Sequence, residues 1–214
     1  MIRLKSIVPP LFLFSFLLIL SACASVHKPS GYLPDSAGLQ EGKYFKQERI
    51  APDADFRKYK KVKVEDVDIQ YFDNSVSRHS EEDIAKLASE FKSSLESELG
   101  KKFQIVPESQ APDAETMVVA PALVYVATPE RSVNIATAWR IGFSFSKGFA
   151  AFEAKIMDGR TGNVIAEVAE KRKGGGGIWD LKSVFIGGYL KYAHAEGAFK
   201  GWGKDLTKLV TSSK

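Results

Sequence analysis

The chain has 214 residues, a formal net charge of +4, and 44% hydrophobic against 26% charged residues. This balance excludes a disordered or collagen-like chain and gives little basis for nucleic-acid binding; the length fits one domain plus a tether, or at most two small domains. A single cysteine, Cys23, excludes a disulfide framework, so stability has to come from a packed core.

In chain order, Arg3 and Lys5 come first, residues 11–20 are apolar apart from Ser15, and small residues follow. Charged, apolar and small in that order is the pattern of a secretory signal. Residues 7–22 number only 16, and Pro9 and Pro10 interrupt their start. A membrane-spanning helix needs about 20. Leu20-Ser21-Ala22-Cys23 resembles the lipobox of bacterial lipoproteins. The resemblance implies cleavage after Ala22, a diacylglycerol on the Cys23 thiol and acylation of the new amine. Several acyl chains hold a protein durably at a membrane where one does not. Ala24 in place of aspartate resembles the enterobacterial sorting signal for the outer membrane. The competing reading is a secreted protein with a free thiol, a liability in an oxidising compartment. The expected plan is a signal peptide at 1–22, a lipidated tether and arm at 23–55, and a periplasmic α/β domain at 56–214.

Residues 24–55 lack apolar periodicity and hold three prolines and three glycines, so they read as a tether leading into a semi-ordered arm. Tyr32, Leu33, Leu39, Tyr44 and Phe45 are apolar enough to pack on the domain or a partner. Residues 59–70 read as one strand: Val62 and Val64 alternate with lysines, Val67 and Ile69 continue in the opposite phase, and a bulge is expected at Glu65-Asp66. Residues 73–75 turn the chain. Residues 80–99 read as a helix, with Ile84, Leu87, Ala88, Phe91, Leu95 and Leu99 on one face. Ser80 suits its cap, Glu81, Glu82 and Asp83 suit the positive end, and Gly100 stops it. The three acids are explained by the helix dipole without a metal.

Residues 103–106 read as a short strand. Residues 117–127 read as a longer one covered on both faces, with Pro121 requiring a bulge or an edge position. Within 129–148, Val133, Ile135, Trp139, Ile141, Phe143 and Phe145 sit among small polar residues. This stretch either covers the core or forms a partner or lipid surface. Residues 149–171 read as a hairpin turning at 158–163. Residues 174–177 read as a glycine joint. Residues 180–209 read as helix broken near Gly187-Gly188 and across 197–203, with Phe199, Trp202, Leu206 and Leu209 docking on the sheet. The fold expected is α/β, a single domain with a mixed, mostly antiparallel sheet and helices packed on it, after the lipidated tether.

Five pieces in order carry a wider resemblance: Ser30-Gly31-Tyr32-Leu33; Tyr59-Lys60-Lys61-Val62; a hairpin with Gly148, Glu153, Asp158 and Thr161-Gly162; a glycine-rich joint; and a terminal helix with Ala198-Phe199, Trp202, Leu206 and Leu209. Together they resemble the bacterial lipoproteins of DUF3313, a domain of unknown function, over essentially the whole mature chain. The family supplies no activity. The Asp-x-x-Thr-Gly hairpin is also similar to one in penicillin-binding-protein activators and the curli secretion lipoprotein. The turn is read as architectural, with Asp158 accepting from turn amides and Gly162 at positive φ.

Catalytic patterns are not evident. His27, His79 and His194 lack metal-ligand spacing, and no Gly-x-Ser-x-Gly elbow occurs. Glu153 and Glu167 are the carboxylate pair a hydrolase would use, on a hairpin face read as solvated. Two basic clusters, Arg57, Lys58, Lys60, Lys61 and Lys63, then Lys171, Arg172 and Lys173, read as a solvated face or as contacts for anionic headgroups. The function expected is that of a membrane-anchored bacterial envelope lipoprotein, held in the outer membrane and facing the periplasm as a non-enzymatic accessory or protein-binding module. It needs no cofactor beyond the covalent lipid on Cys23, and its partners are the membrane and an envelope protein, not nucleic acid. Val133, Ile135, Trp139, Ile141 and Phe143 are the candidate partner surface. The alternatives are a binder of lipid or another small apolar ligand, and a periplasmic hydrolase.

Overall fold

The computed structural model describes residues 30–75, 77–127, 149–173 and 192–212. Among the described residues, six strands and two α-helices follow one another as β1 (Gln47–Ile50), β2 (Lys61–Val64), α1 (Glu81–Leu99), β3 (Gln104–Ile105), β4 (Thr116–Ala127), β5 (Phe149–Asp158), β6 (Val164–Lys173) and α2 (Ala193–Thr211). The strands form one sheet in the order β1-β6-β5-β4-β2-β3. β2 runs parallel to β3 and β4, and the remaining pairs are antiparallel. Parallel neighbours need a crossover, and α1 supplies it between β2 and β3. This is the single-domain α/β architecture expected, a mixed and mostly antiparallel sheet with helices on it. β1 comes from the stretch grouped with the arm, and it closes the sheet on β6.

Residues 59–70 do not form the single bulged strand expected. β2 ends at Val64, and within 59–70 strand pairing with β4 recurs as the isolated bridge of Asp68 with Ala122. The reason lies in the neighbouring strand. The Val119 carbonyl accepts from Glu65, and the Pro121 carbonyl accepts from Asp68. The odd-numbered residues of β4 therefore aim their peptide groups at β2, and Pro121 has no N–H to offer there. The ladder lapses at that point. Pro121 itself stays inside a long strand, paired with Ala154 of β5, and the one register shift falls at Leu123/Tyr125.

α1 starts at the Ser80 cap, whose hydroxyl accepts from the Asp83 amide at 3.1 Å. Leu87, Phe91, Leu95 and Leu99 are buried along its inner face. Gly100 ends it with φ −62°, not in the left-handed region; a Cβ there would lie 2.8 Å from the Glu96 carbonyl, so close approach demands the glycine. α2 is one continuous helix through Gly197, Gly201 and Gly203, not a broken one. At Gly203 a Cβ would stand 3.0 Å from the Glu98 side chain and 3.1 Å from the Ser94 carbonyl. The glycine lets the two helices cross closely, which outweighs its weak helix propensity.

Between helices and sheet lies an aromatic core. Phe91 stacks on Phe199 at 4.8 Å, Trp202 lies 4.4 Å from Phe152, and Phe45 meets Phe152 edge-on at 5.7 Å. Each such residue removes a large apolar area from water.

Candidate functional site

The other sheet face is assembled from register. Val118, Ala120 and Ala122 of β4 lie beside Met157, Lys155 and Glu153 of β5, and Glu153 and Lys155 lie beside Ala169 and Glu167 of β6. Three of these positions are alanines, small enough for a chain to lie close over them. Residues 30–39 do so as a strap. The buried Glu153 carboxylate accepts from the Ser30 amide at 3.2 Å, the Ser30 hydroxyl at 2.9 Å and the Leu33 amide at 3.2 Å. The Tyr32 hydroxyl donates to the Ala120 carbonyl at 2.9 Å, and the Lys155 ammonium sits 4.2 Å over its ring. Burial, helped by Asp68, Glu65 and Glu153, pushes the Tyr32 phenol above its ordinary range. At the next ladder position Arg49 of β1 bridges Glu167 and Asp35, donating to Asp35 at 2.6 Å.

This corrects the reading of Glu153 and Glu167 as acids on a solvated face. Both are buried, at 1% and 4% exposure, and they are not directly opposed: Glu153 pairs with Ala169 and Glu167 with Lys155. A carboxylate with its oxygens occupied by fixed donors serves structure, since an unpaired buried charge would cost several kcal/mol.

Asp158 behaves as expected for the turn and does more. One oxygen accepts from the Arg160 and Thr161 amides at 3.1 and 2.9 Å, with Gly162 at φ +71°. The other accepts from Lys58 Nζ at 2.7 Å and from the Tyr59 hydroxyl at 2.9 Å. The Lys58 ammonium, with the Thr161 amide and Tyr59, holds this carboxyl well below the usual carboxylate range. The first basic cluster is spent in the same way. Arg57 pairs with Asp55, Lys60 with Glu115 and Lys61 with Asp113, while Lys63 donates to the carbonyls of Glu108 and Gln110. In the second cluster, Arg172 joins Glu170 and Asp205, and Lys171 lies over the Tyr125 and Phe149 rings.

His79 is buried, with Nε2 2.8 Å from the Val126 carbonyl and the Tyr192 hydroxyl 3.3 Å from Nδ1. A carbonyl only accepts, so Nε2 carries the proton and ties this loop to β4. Among the described residues no group of three or more His, Cys, Asp or Glu side chains is placed to hold a metal. Surface grooves are present there. One, about 510 Å³, follows β1 and the start of β6 past Arg49, Ile50 and Val164. Another, about 530 Å³, lies between α1 and α2 and is lined by serines, Glu90, Glu98 and Lys200. No described helix is long and apolar enough to cross a membrane. Cys23, His27 and the candidate surface Val133, Ile135, Trp139, Ile141 and Phe143 lie outside the described residues.

The strap was not foreseen as a feature of the site. The signal was present in two of the resembling pieces: Ser30–Leu33 meets Glu153, 123 residues away, and Tyr59 meets Asp158, 99 residues away. These contacts, a mixed sheet and two helices define a single-domain α/β protein whose amino-terminal strap is built into the fold. The chain belongs to the family described as protein of unknown function (DUF3313), which it matches over residues 28–206. Among solved structures it is similar to the PelC dodecamer from Paraburkholderia phytofirmans, at 9% identity over 78% of this chain and 96% of that one, with a TM-score of 0.45. It is also similar to the hypothetical protein CT253 from Chlamydia trachomatis, at 13% identity over 72% and 99%, with a TM-score of 0.43. No curated protein matches it.

Proposed function

We propose that this chain is a lipoprotein of the bacterial envelope, held by acyl chains on Cys23 in the outer membrane and facing the periplasm, whose domain works as an accessory or protein-binding module. The observation that carries this reading is the lipobox Leu20-Ser21-Ala22-Cys23, which ends only seven residues before Ser30, where the strap begins. A binding role is supported over hydrolysis because Glu153 and Glu167 are committed to the strap and to Arg49. The apolar stretch at 133–145 is the proposed partner surface.

In-cell crosslinking of the native protein, detergent extraction and mass spectrometry of what co-purifies test the role. A discrete envelope protein that is lost on Trp139→Ala is the expected result. Turnover by the purified domain, abolished by one polar substitution, would overturn it. Bound lipid in a soluble Cys23→Ser protein would move the assignment to a ligand binder.

A further inference from the structure

Where the strap begins, it forms a patch with the turn after β2. The Tyr32 and Tyr71 rings meet edge-on at 5.6 Å, and at Gly31, with φ +96°, an added Cβ would lie 3.7 Å from the Tyr71 ring. Tyr71 and Ile69 of the same turn are exposed, at 38% and 39%. Lys155 is the cation over Tyr32, and the anions acting on its phenol are Asp68, Glu65 and Glu153, the first two from the stretch that follows β2. Two tyrosines, an isoleucine and charges of both signs are the side chains that suit the boundary between headgroups and acyl chains.

The chain itself says what can reach this patch. Cys23 stands seven positions before Ser30, and that stretch spans at most about 25 Å fully extended. A domain of this length has a radius of gyration of about 16 Å, so its far side lies roughly 60 Å away along the surface. Ser30 is pinned by Glu153. Acyl chains on Cys23 therefore stay within about 25 Å of Ser30, a range that includes Tyr32 and Tyr71, and the far side of the domain cannot turn to the bilayer while Ser30 stays bound.

We propose that the patch of Tyr32, Ile69, Tyr71 and Lys155 is the membrane-resting face of the domain, seated on zwitterionic phospholipid headgroups. The phosphate faces Lys155, and the headgroup ammonium faces Glu65 and Asp68. This rests on the acylation of Cys23 proposed above. The first basic cluster, engaged by its own acids and, at Lys63, by backbone carbonyls, is not the contact.

The test uses full-length protein purified from bacterial membranes and reconstituted in vesicles of phosphatidylethanolamine and phosphatidylcholine. Cys23 is the only cysteine, so with its sulfur acylated a nitroxide attaches solely to an introduced thiol. Labels go at Tyr71→Cys and, on the exposed side of α2, at Lys204→Cys. Accessibility to oxygen, which concentrates in lipid, is compared with accessibility to an aqueous nickel chelate. Mass spectrometry of the amino-terminal peptide reads acylation separately. The expected result is an acylated Cys23 with a higher oxygen-to-nickel ratio at 71 than at 204. Equal ratios on an acylated protein, whether both wet or both in lipid, would overturn the orientation and leave the anchor standing. Shielding of 71 from both reagents would place protein there and overturn it too. An unacylated Cys23 would remove the anchor and the orientation together.

Discussion

Asp158 joins the hairpin turn to Lys58 and Tyr59, and its carboxyl lies below the ordinary value of 3.8. Over the acid range the unfolded chain therefore binds the proton more readily than the folded one. The stability from this group is complete above the ordinary carboxylate range and drains away as pH falls through the folded value. Asp158→Asn is expected to cost about 1–3 kcal/mol near neutrality and to flatten the fall of stability between about pH 4 and 2. Denaturant melts across that range check both. Glu153 supplies a second expectation. Glu153→Ala should cost about 1.5–3 kcal/mol and open residues 30–39 to protease. Glu153→Gln should lose nearly as much, because its NH₂ would face donors that the carboxylate now accepts from.

Helix α2 shows how packing overrides propensity. Glycine lowers helix stability by about 0.5–1 kcal/mol relative to alanine, so alanine at an unconstrained site would stabilise. At Gly203 the added Cβ meets the Ser94 carbonyl and the base of Glu98, which cannot swing away. Overpacking costs about 1–3 kcal/mol. Gly203→Ala is therefore expected to destabilise, whereas Gly201→Ala, facing the movable end of Arg172, should cost less. Thermal melts of the two variants fix the order. Trp202, fully buried against Phe152 and Phe91, should lose about 3–5 kcal/mol on Trp202→Ala.

For the whole molecule, the strap is where the proposed anchoring would meet folding. The residues that follow Cys23, the proposed lipidation site, cover a sheet face and satisfy buried charge. Cys23→Ser is expected to release a folded, soluble periplasmic protein, since Ser30 and Leu33 keep their bonds to Glu153 without the lipid. Fractionation of cells with circular dichroism of the released protein checks this. Continued membrane association of the variant would contradict it.

The amphipathic face and cap of α1, the hairpin and its Asp158 turn, and the apolar β4 were legible because each depends on residues a few positions apart. The periodicity of side chains and the φ preferences of glycine act at that range. The end of β2 was not, because the missing donor belongs to Pro121 on another strand. Nor was the continuity of α2, since its glycines answer to α1 rather than to their own helix. Glu153 and Glu167 looked like solvated acids because alternation assigns a face, not what lies over it. Only tertiary structure laid residues 30–39 across that face, joining groups more than a hundred positions apart, where local sequence exerts no force.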